Sequence, residues 1–182
     1  MKDLLVVIDM VNGFINQGAL ADNKIKKIVP LIIDNIENAK NKNMDIVAFK
    51  DCHSEDDEEF KIFPKHCLKG SFESELIMEL SKYKDDMMII DKDTTNGFVT
   101  TKFFDLINKN TYNNVYVCGC CTDICVQNFV ESYLSHIKQN SVDTTIKVIK
   151  NACYTFDNDN HNADTEHEKS INYMQSLGAK II

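Results

Sequence analysis

Four of the seven cysteines of this 182-residue chain lie within residues 115–129, VYVCGCCTDICVQNF: Cys118, Cys120, Cys121 and Cys125. They follow an apolar run and precede a segment of helical spacing, so the cysteines occupy a strand-to-helix turn. A helix beginning near Thr122, with Thr122 or Asp123 as its cap, puts Cys125 in the first turn. There, free N–H groups and the helix dipole favour a thiolate. A thiol that ordinarily titrates near about 8.5 also needs a base or a cation beside it. Asp9 and Lys92, each at the end of its own apolar run, are the candidates. Asp9 would take the thiol proton and return it to a leaving amine, while Lys92 would hold thiolate and carboxylate in place.

A second constellation is Asp51-Cys52-His53, followed by His66. Two imidazoles and a carboxylate suit a divalent metal such as zinc, iron or manganese, with positions left open for water or substrate. In an extended segment alternate side chains point to opposite sides, which puts Asp51 and His53 together and Cys52 away from them. The ligand set is therefore expected to be oxygen and nitrogen rather than sulfur.

These groups need a frame. Apolar, β-branched runs at residues 4–8, 45–49, 87–90, 115–117, 145–149 and 180–182 alternate with helical spacing over 25–39, 72–80, 101–107, 122–137 and 163–177. Alternation of this kind predicts an α/β chain: a three-layer, Rossmann-like fold with a mainly parallel six-stranded sheet and helices on both faces. Ligands of open α/β sheets bind beyond the carboxyl ends of the strands, and Asp9, Asp51, Lys92 and the cysteine turn all fall there. Residues 51–71 break the alternation. This segment is acidic and Lys-rich, carries two of the five histidines and one of the two prolines, and is long enough to be functional.

Bulk properties narrow the classes. The length suits one domain spanning 1–182, and 43% hydrophobic residues can fill a core. A net charge of −8 argues against nucleic acid or an anionic membrane surface as partner. No run approaches the roughly 20 apolar residues of a membrane span, and the N-terminal segment reads as a strand rather than a leader. A cytoplasmic location is expected. An odd number of clustered cysteines points to reduced thiols, and the single C-x-x-C lacks the second arm of a structural zinc site.

In order and spacing, DMVNGF with QGAL, KDCH, FPKHCLKGSFESEL, KDTTNGF, GCCTDICV and the closing NACYTFDNDNH resemble the motifs of the isochorismatase-like cysteine hydrolases, the superfamily that contains the nicotinamidases. The resemblance implies a triad of Asp9, Lys92 and Cys125. It implies an oxyanion hole from the backbone N–H groups of Cys121 and Cys125, and a cis peptide between Cys120 and Cys121. It further implies hydrolysis of a small amide through a thioester, with nicotinamide the leading substrate. Asp51, His53 and His66 match the nicotinamidase metal set, in which the metal holds the pyridine nitrogen. Gly13 stands where that pattern carries an acid, Cys52 replaces an aromatic, and Trp is absent. Phe14 is the one aromatic wall of the substrate pocket that can be assigned. Relatives of this type are often dimers or tetramers, so self-association is expected. Two other readings remain at this level: a metal-independent hydrolase of another small amide or an enol ether, and a non-catalytic thiol redox or metal-binding module, which thiol titration would separate from a hydrolase.

Overall fold

The computed structural model describes residues 1–182. Six strands, β1 (Lys2–Ile8), β2 (Asp45–Asp51), β3 (Met88–Lys92), β4 (Tyr112–Gly119), β5 (Thr145–Cys153) and β6 (Lys180–Ile181), form one sheet in the order β3-β2-β1-β4-β5-β6. Every pairing is parallel, so the expectation of a mainly parallel sheet is met without an antiparallel exception. The helices are α1 (Asn12–Ile15), α2 (Val29–Asn41), α3 (Met78–Ser81), α4 (Thr101–Lys109), α5 (Gln127–Asn140) and α6 (Ala163–Ser176). The chain works outward from β1 to β3, then crosses back to β4 and works outward the other way. Right-handed crossovers running in opposite directions place their helices on opposite faces of the sheet. The strand order reverses between β1 and β4, which makes their carboxyl ends the crevice of the fold.

The central strands are apolar on both sides because both faces are covered: Leu4 to Ile8 of β1 are all buried, as are Ile46 to Phe49 of β2. Gly119 closes β4 at φ +122°, and a Cβ there would come within 2.1 Å of the Ile8 carbonyl oxygen. Only glycine lets β1 and β4 approach so closely at the crevice.

Two helix expectations are corrected. Residues 72–80 do not form one helix; only Met78–Ser81 is helical. The preceding residues instead bond the segment after β1: Asn12 N–H donates to Glu75 O, Gly13 N–H to Glu73 O, and Ile77 N–H to Met10 O. Tertiary backbone pairing overrides the local three-and-four rhythm. The helix expected over 122–137 begins as a π-helical turn, Thr122–Val126, before α5. Its cap position is Cys121, which makes no side-chain cap bond, rather than Thr122 or Asp123.

Candidate active site

Four strand ends deliver the catalytic candidates. Asp9 follows β1 in the left-handed region at φ 52°, a conformation that Asp tolerates better than most residues. Lys92 ends β3 and Asp51 ends β2, paired in register across the two strands. Cys125 sits on the π-helical turn after β4. Lys92 Nζ is the hub: it lies 2.8 Å from Asp9 Oδ2, 2.6 Å from Asp51 Oδ1 and 3.8 Å from Cys125 Sγ. All four side chains are buried.

The lysine therefore joins two constellations that the sequence presents separately. Asp9 faces the Lys92 ammonium at 2.8 Å and the Cys125 thiol, and its oxygens have no other partner, so a lone pair is placed to accept the thiol proton. Burial pushes Asp9 up to about 6, against the pull of Lys92. Burial also pushes the Cys125 thiol well up, Lys92 opposing it. That direction runs against the helix-stabilised thiolate expected from the sequence and describes a thiol facing a base. The Cys120–Cys121 peptide is cis, as the resemblance implied. The Cys121 N–H donates to no backbone carbonyl, which leaves it available to an oxyanion.

The second cluster is equally compact. Ligand atoms of Asp51, His53 and His66 all lie within 4.8 Å of one another. Both imidazole Nε2 atoms face the same carboxylate oxygen, Asp51 Oδ2, at 2.8 and 3.0 Å. The His66 Nδ1 is 2.8 Å from the Pro64 carbonyl, and a carbonyl can only accept. In the neutral tautomer His66 thus turns the Nε2 lone pair toward the carboxylate, and two acceptors face each other. Positive charge is needed between them. Burial pushes both imidazoles down, but the acceptors around them together draw both up, Asp51 foremost, with Asp57 and Glu59 at His53 and the Pro64 carbonyl at His66; His53 rises to about 9. This donor set fits a divalent cation, which would meet the same need through lone pairs already aimed at one point. Cys52 is turned away from the cluster, as strand alternation predicts; it is partly exposed whereas Asp51 and His53 are buried.

Several residues escaped the sequence reading. The Glu59 carboxylate stands 4.0 and 3.9 Å from the two imidazole Nε2 atoms. Nothing in its acidic run distinguishes it from Glu58, which is exposed. The clusters open into one cavity of about 550 Å³, lined on its apolar sides by Phe14, Phe63, Ile124 and Phe156. Phe14 reaches the cavity from α1, while Phe63 and Phe156 lie on loops with no periodicity to betray them. Gly13 also has a steric reason: a Cβ there would meet the Cys67 sulfur at 2.5 Å. The remaining thiols are not interchangeable. All seven are free; Cys118 and Cys120 are buried and bond the carbonyls of Val6 and Asp9, which are packing roles.

No helix is long and apolar enough to cross a membrane. Comparison with known proteins covers the whole frame. The isochorismatase domain model matches residues 3–182. Nicotinamidase 1 of Arabidopsis thaliana is 33% identical over 173 residues, covering 84% of this chain and 69% of that protein. Among solved structures, the zinc complex of the Pyrococcus horikoshii pyrazinamidase superposes with a TM-score of 0.85 at 26% identity, covering 100% and 99% of the two chains. The N-carbamoylsarcosine amidase of Thermoplasma acidophilum follows at 0.81 and 28%, covering 100% and 95%. A buried Asp-Lys-Cys hub, a carboxylate and two imidazoles aimed at one point, and a match from end to end converge: the chain belongs to the isochorismatase family.

Proposed function

We propose that this protein is a metal-assisted cysteine amidohydrolase that cleaves the C–N bond of a small amide, with nicotinamide as the leading substrate and nicotinate and ammonia as products. The observation that carries the reading is the position of Lys92 Nζ, in contact with Asp9, Asp51 and Cys125, of which Asp51 and Cys125 line one cavity. The similarity to a nicotinamidase and to a pyrazinamidase supports the substrate class.

The chemistry follows from the resting protonation. Cys125 gives its proton to an Asp9 oxygen as Sγ attacks the amide carbon. Lys92, beside both groups, stabilises the carboxylate before the transfer and any charge on sulfur as the proton leaves, before the negative charge passes to the substrate oxygen. The carbonyl oxygen becomes an oxyanion toward the N–H groups of Cys121 and Cys125, donors already fixed by the turn and therefore stabilising without reorganisation. The C–N bond breaks as Asp9 returns the proton to nitrogen, releasing ammonia and leaving a thioester on Cys125. Water then loses a proton to Asp9 and attacks the thioester carbon; the carboxylate product departs and Sγ recovers the proton. Asp51, His53 and His66 would hold a divalent cation, whose chemistry is that of a Lewis acid able to anchor a ring nitrogen.

The test is ammonia release from nicotinamide and a panel of small amides by metal-loaded and chelated protein, with intact-mass detection of an acyl adduct on Cys125. Release that requires metal and an adduct of matching mass is expected. A metal-loaded protein that cleaves no amide of the panel would refute the reading.

A further inference from the structure

The strap that follows β5 carries one pocket wall and a device that fixes it. Phe156 lines the cavity together with Cys121, Ile124 and Cys125. Behind it lies His161, its ring stacked on that of Phe156 with centroids 3.9 Å apart and planes 8° from parallel. The strap folds back on itself to bring the two rings together: Asn158 N–H donates to His161 O and His161 N–H to Asn158 O. Asn160 N–H bonds the Asn158 side chain as well.

His161 is itself clamped at both nitrogens. Nδ1 is 3.0 Å from the Phe156 carbonyl and Nε2 is 2.6 Å from Asp123 Oδ2. Both partners are acceptors, so only the imidazolium, with two N–H groups, satisfies both. The other Asp123 oxygen accepts from Thr155 Oγ1 at 2.5 Å. Asp123 belongs to the π-helical turn that carries Cys125. One carboxylate thus ties the aromatic wall to the nucleophile turn, through His161 on one side and Thr155 on the other. On its far side the strap is tied to the loop before α2, where Asp157 N–H donates to Asp22 Oδ2 at 2.9 Å.

We infer that His161 is a positioning residue for substrate selection: stacked behind Phe156 and clamped to Asp123, it fixes a flat aromatic wall at a set distance from Cys125 and so favours planar aromatic amides over saturated ones. The role is separate from proton transfer, because His161 lies behind Phe156 and does not line the cavity. An unbacked Phe156 would turn about its side-chain torsions, and a mobile face stacks poorly on a flat ring. The inference rests on the amidase reading for its substrate, but not for its test.

Benzamide and cyclohexanecarboxamide share the amide and the six-membered outline and differ in flatness. For each, kcat and KM are compared in the parent, His161→Ala and His161→Phe. H161A should raise KM for benzamide about three- to tenfold, the range of an aromatic pair contact. Its kcat should hold within about twofold, and the saturated amide should be nearly unaffected. H161F, which restores a ring behind Phe156, should recover most of the preference. A preference that survives in H161A, or a loss of kcat shared by both amides, overturns the inference. If H161A fails to fold by circular dichroism, H161F decides alone: a parent-like preference supports the role and its loss overturns it. If neither amide is cleaved by the parent, calorimetric dissociation constants for the same pair test the wall on their own by the same criterion, while the amidase reading stands or falls by nicotinamide and the wider panel.

Discussion

The two walls of the crevice are built on different principles. On one side Asp9, Asp51, Lys92 and the turn bearing Cys125 project from strand ends, so the sheet register fixes where each group stands. On the other side Phe63, His66 and Phe156 sit on loops whose shape depends on side-chain bonds: His66 Nδ1 with Pro64 O, Thr155 Oγ1 donating to Asp123 Oδ1, and Cys67 N–H donating to Glu73 Oε2. In the proposed mechanism the sheet side supplies the nucleophile, the base and one metal ligand, and the loop side supplies His66 and the aromatic walls. Substitutions should divide accordingly, with the sheet side expressed in kcat and stability and the loop side in KM and ligand occupancy.

The strongest break of the comparison is Cys125→Ala. Removing the nucleophile should lower kcat by about 10⁴-fold or more, leaving only residual catalysis from binding and the oxyanion donors. The thermal midpoint should stay near that of the parent, because the sulfur is small and Lys92 keeps its pairing with Asp9 and Asp51 without it. Turnover within tenfold of the parent would take Cys125 out of the mechanism.

Lys92→Met comes next and strikes stability as well as rate. It leaves Asp9 and Asp51 buried without their shared cation, and removing one partner of a buried ion pair costs about 3–5 kcal/mol. Denaturant titration should show that loss. Asp9→Asn supplies the contrast, since it removes a charge that burial already disfavours and leaves Lys92 paired with Asp51. D9N should match the parent in denaturation while losing about 10²- to 10⁴-fold in rate, the range for a general acid–base group. Comparable unfolding of K92M and D9N would dismiss Lys92 as the hub.

Stripping the metal should instead report on the loop side. A ligand that binds only the folded state stabilises it by about 2.7 kcal/mol at a hundred times its dissociation constant. Chelation should therefore lower the thermal midpoint, and His66→Ala should abolish that difference. An equal midpoint with and without chelator would deny the cluster a metal.

This division also explains what the sequence made legible. Asp9, Lys92 and Cys125 were readable because apolar runs announce strands and strand ends announce a crevice. Asp51 and His53 were readable because strand alternation persists just past β2. Residues 72–77 were misread because pairing with the segment after β1 is non-local and leaves no period. Glu59, Phe63 and Phe156 were invisible for a related reason: a loop side chain reaches the site through its backbone path, which composition does not encode. The excess of cysteines suggested a redox cluster, yet Cys118 and Cys120 are spent on packing against carbonyls, a distinction only burial makes.

The smallest effect expected is also the most direct test of protonation. Asp9 must be ionised to accept the thiol proton, and burial, working against Lys92, pushes it up to about 6. Only the ionised fraction of the enzyme is active, so kcat/KM should climb as pH rises through about 6 and fall below it. The slope should be that of a single proton. Stability should run the other way: a carboxyl whose folded value lies above its unfolded one favours the folded state when protonated, so the contribution is full below 3.8 and is lost as pH rises from there through about 6. D9N, which has no carboxyl to titrate, should flatten both profiles when assayed with metal saturating. An acid limb that persists unchanged in D9N would assign the titration to another group and free Asp9 from the role of base.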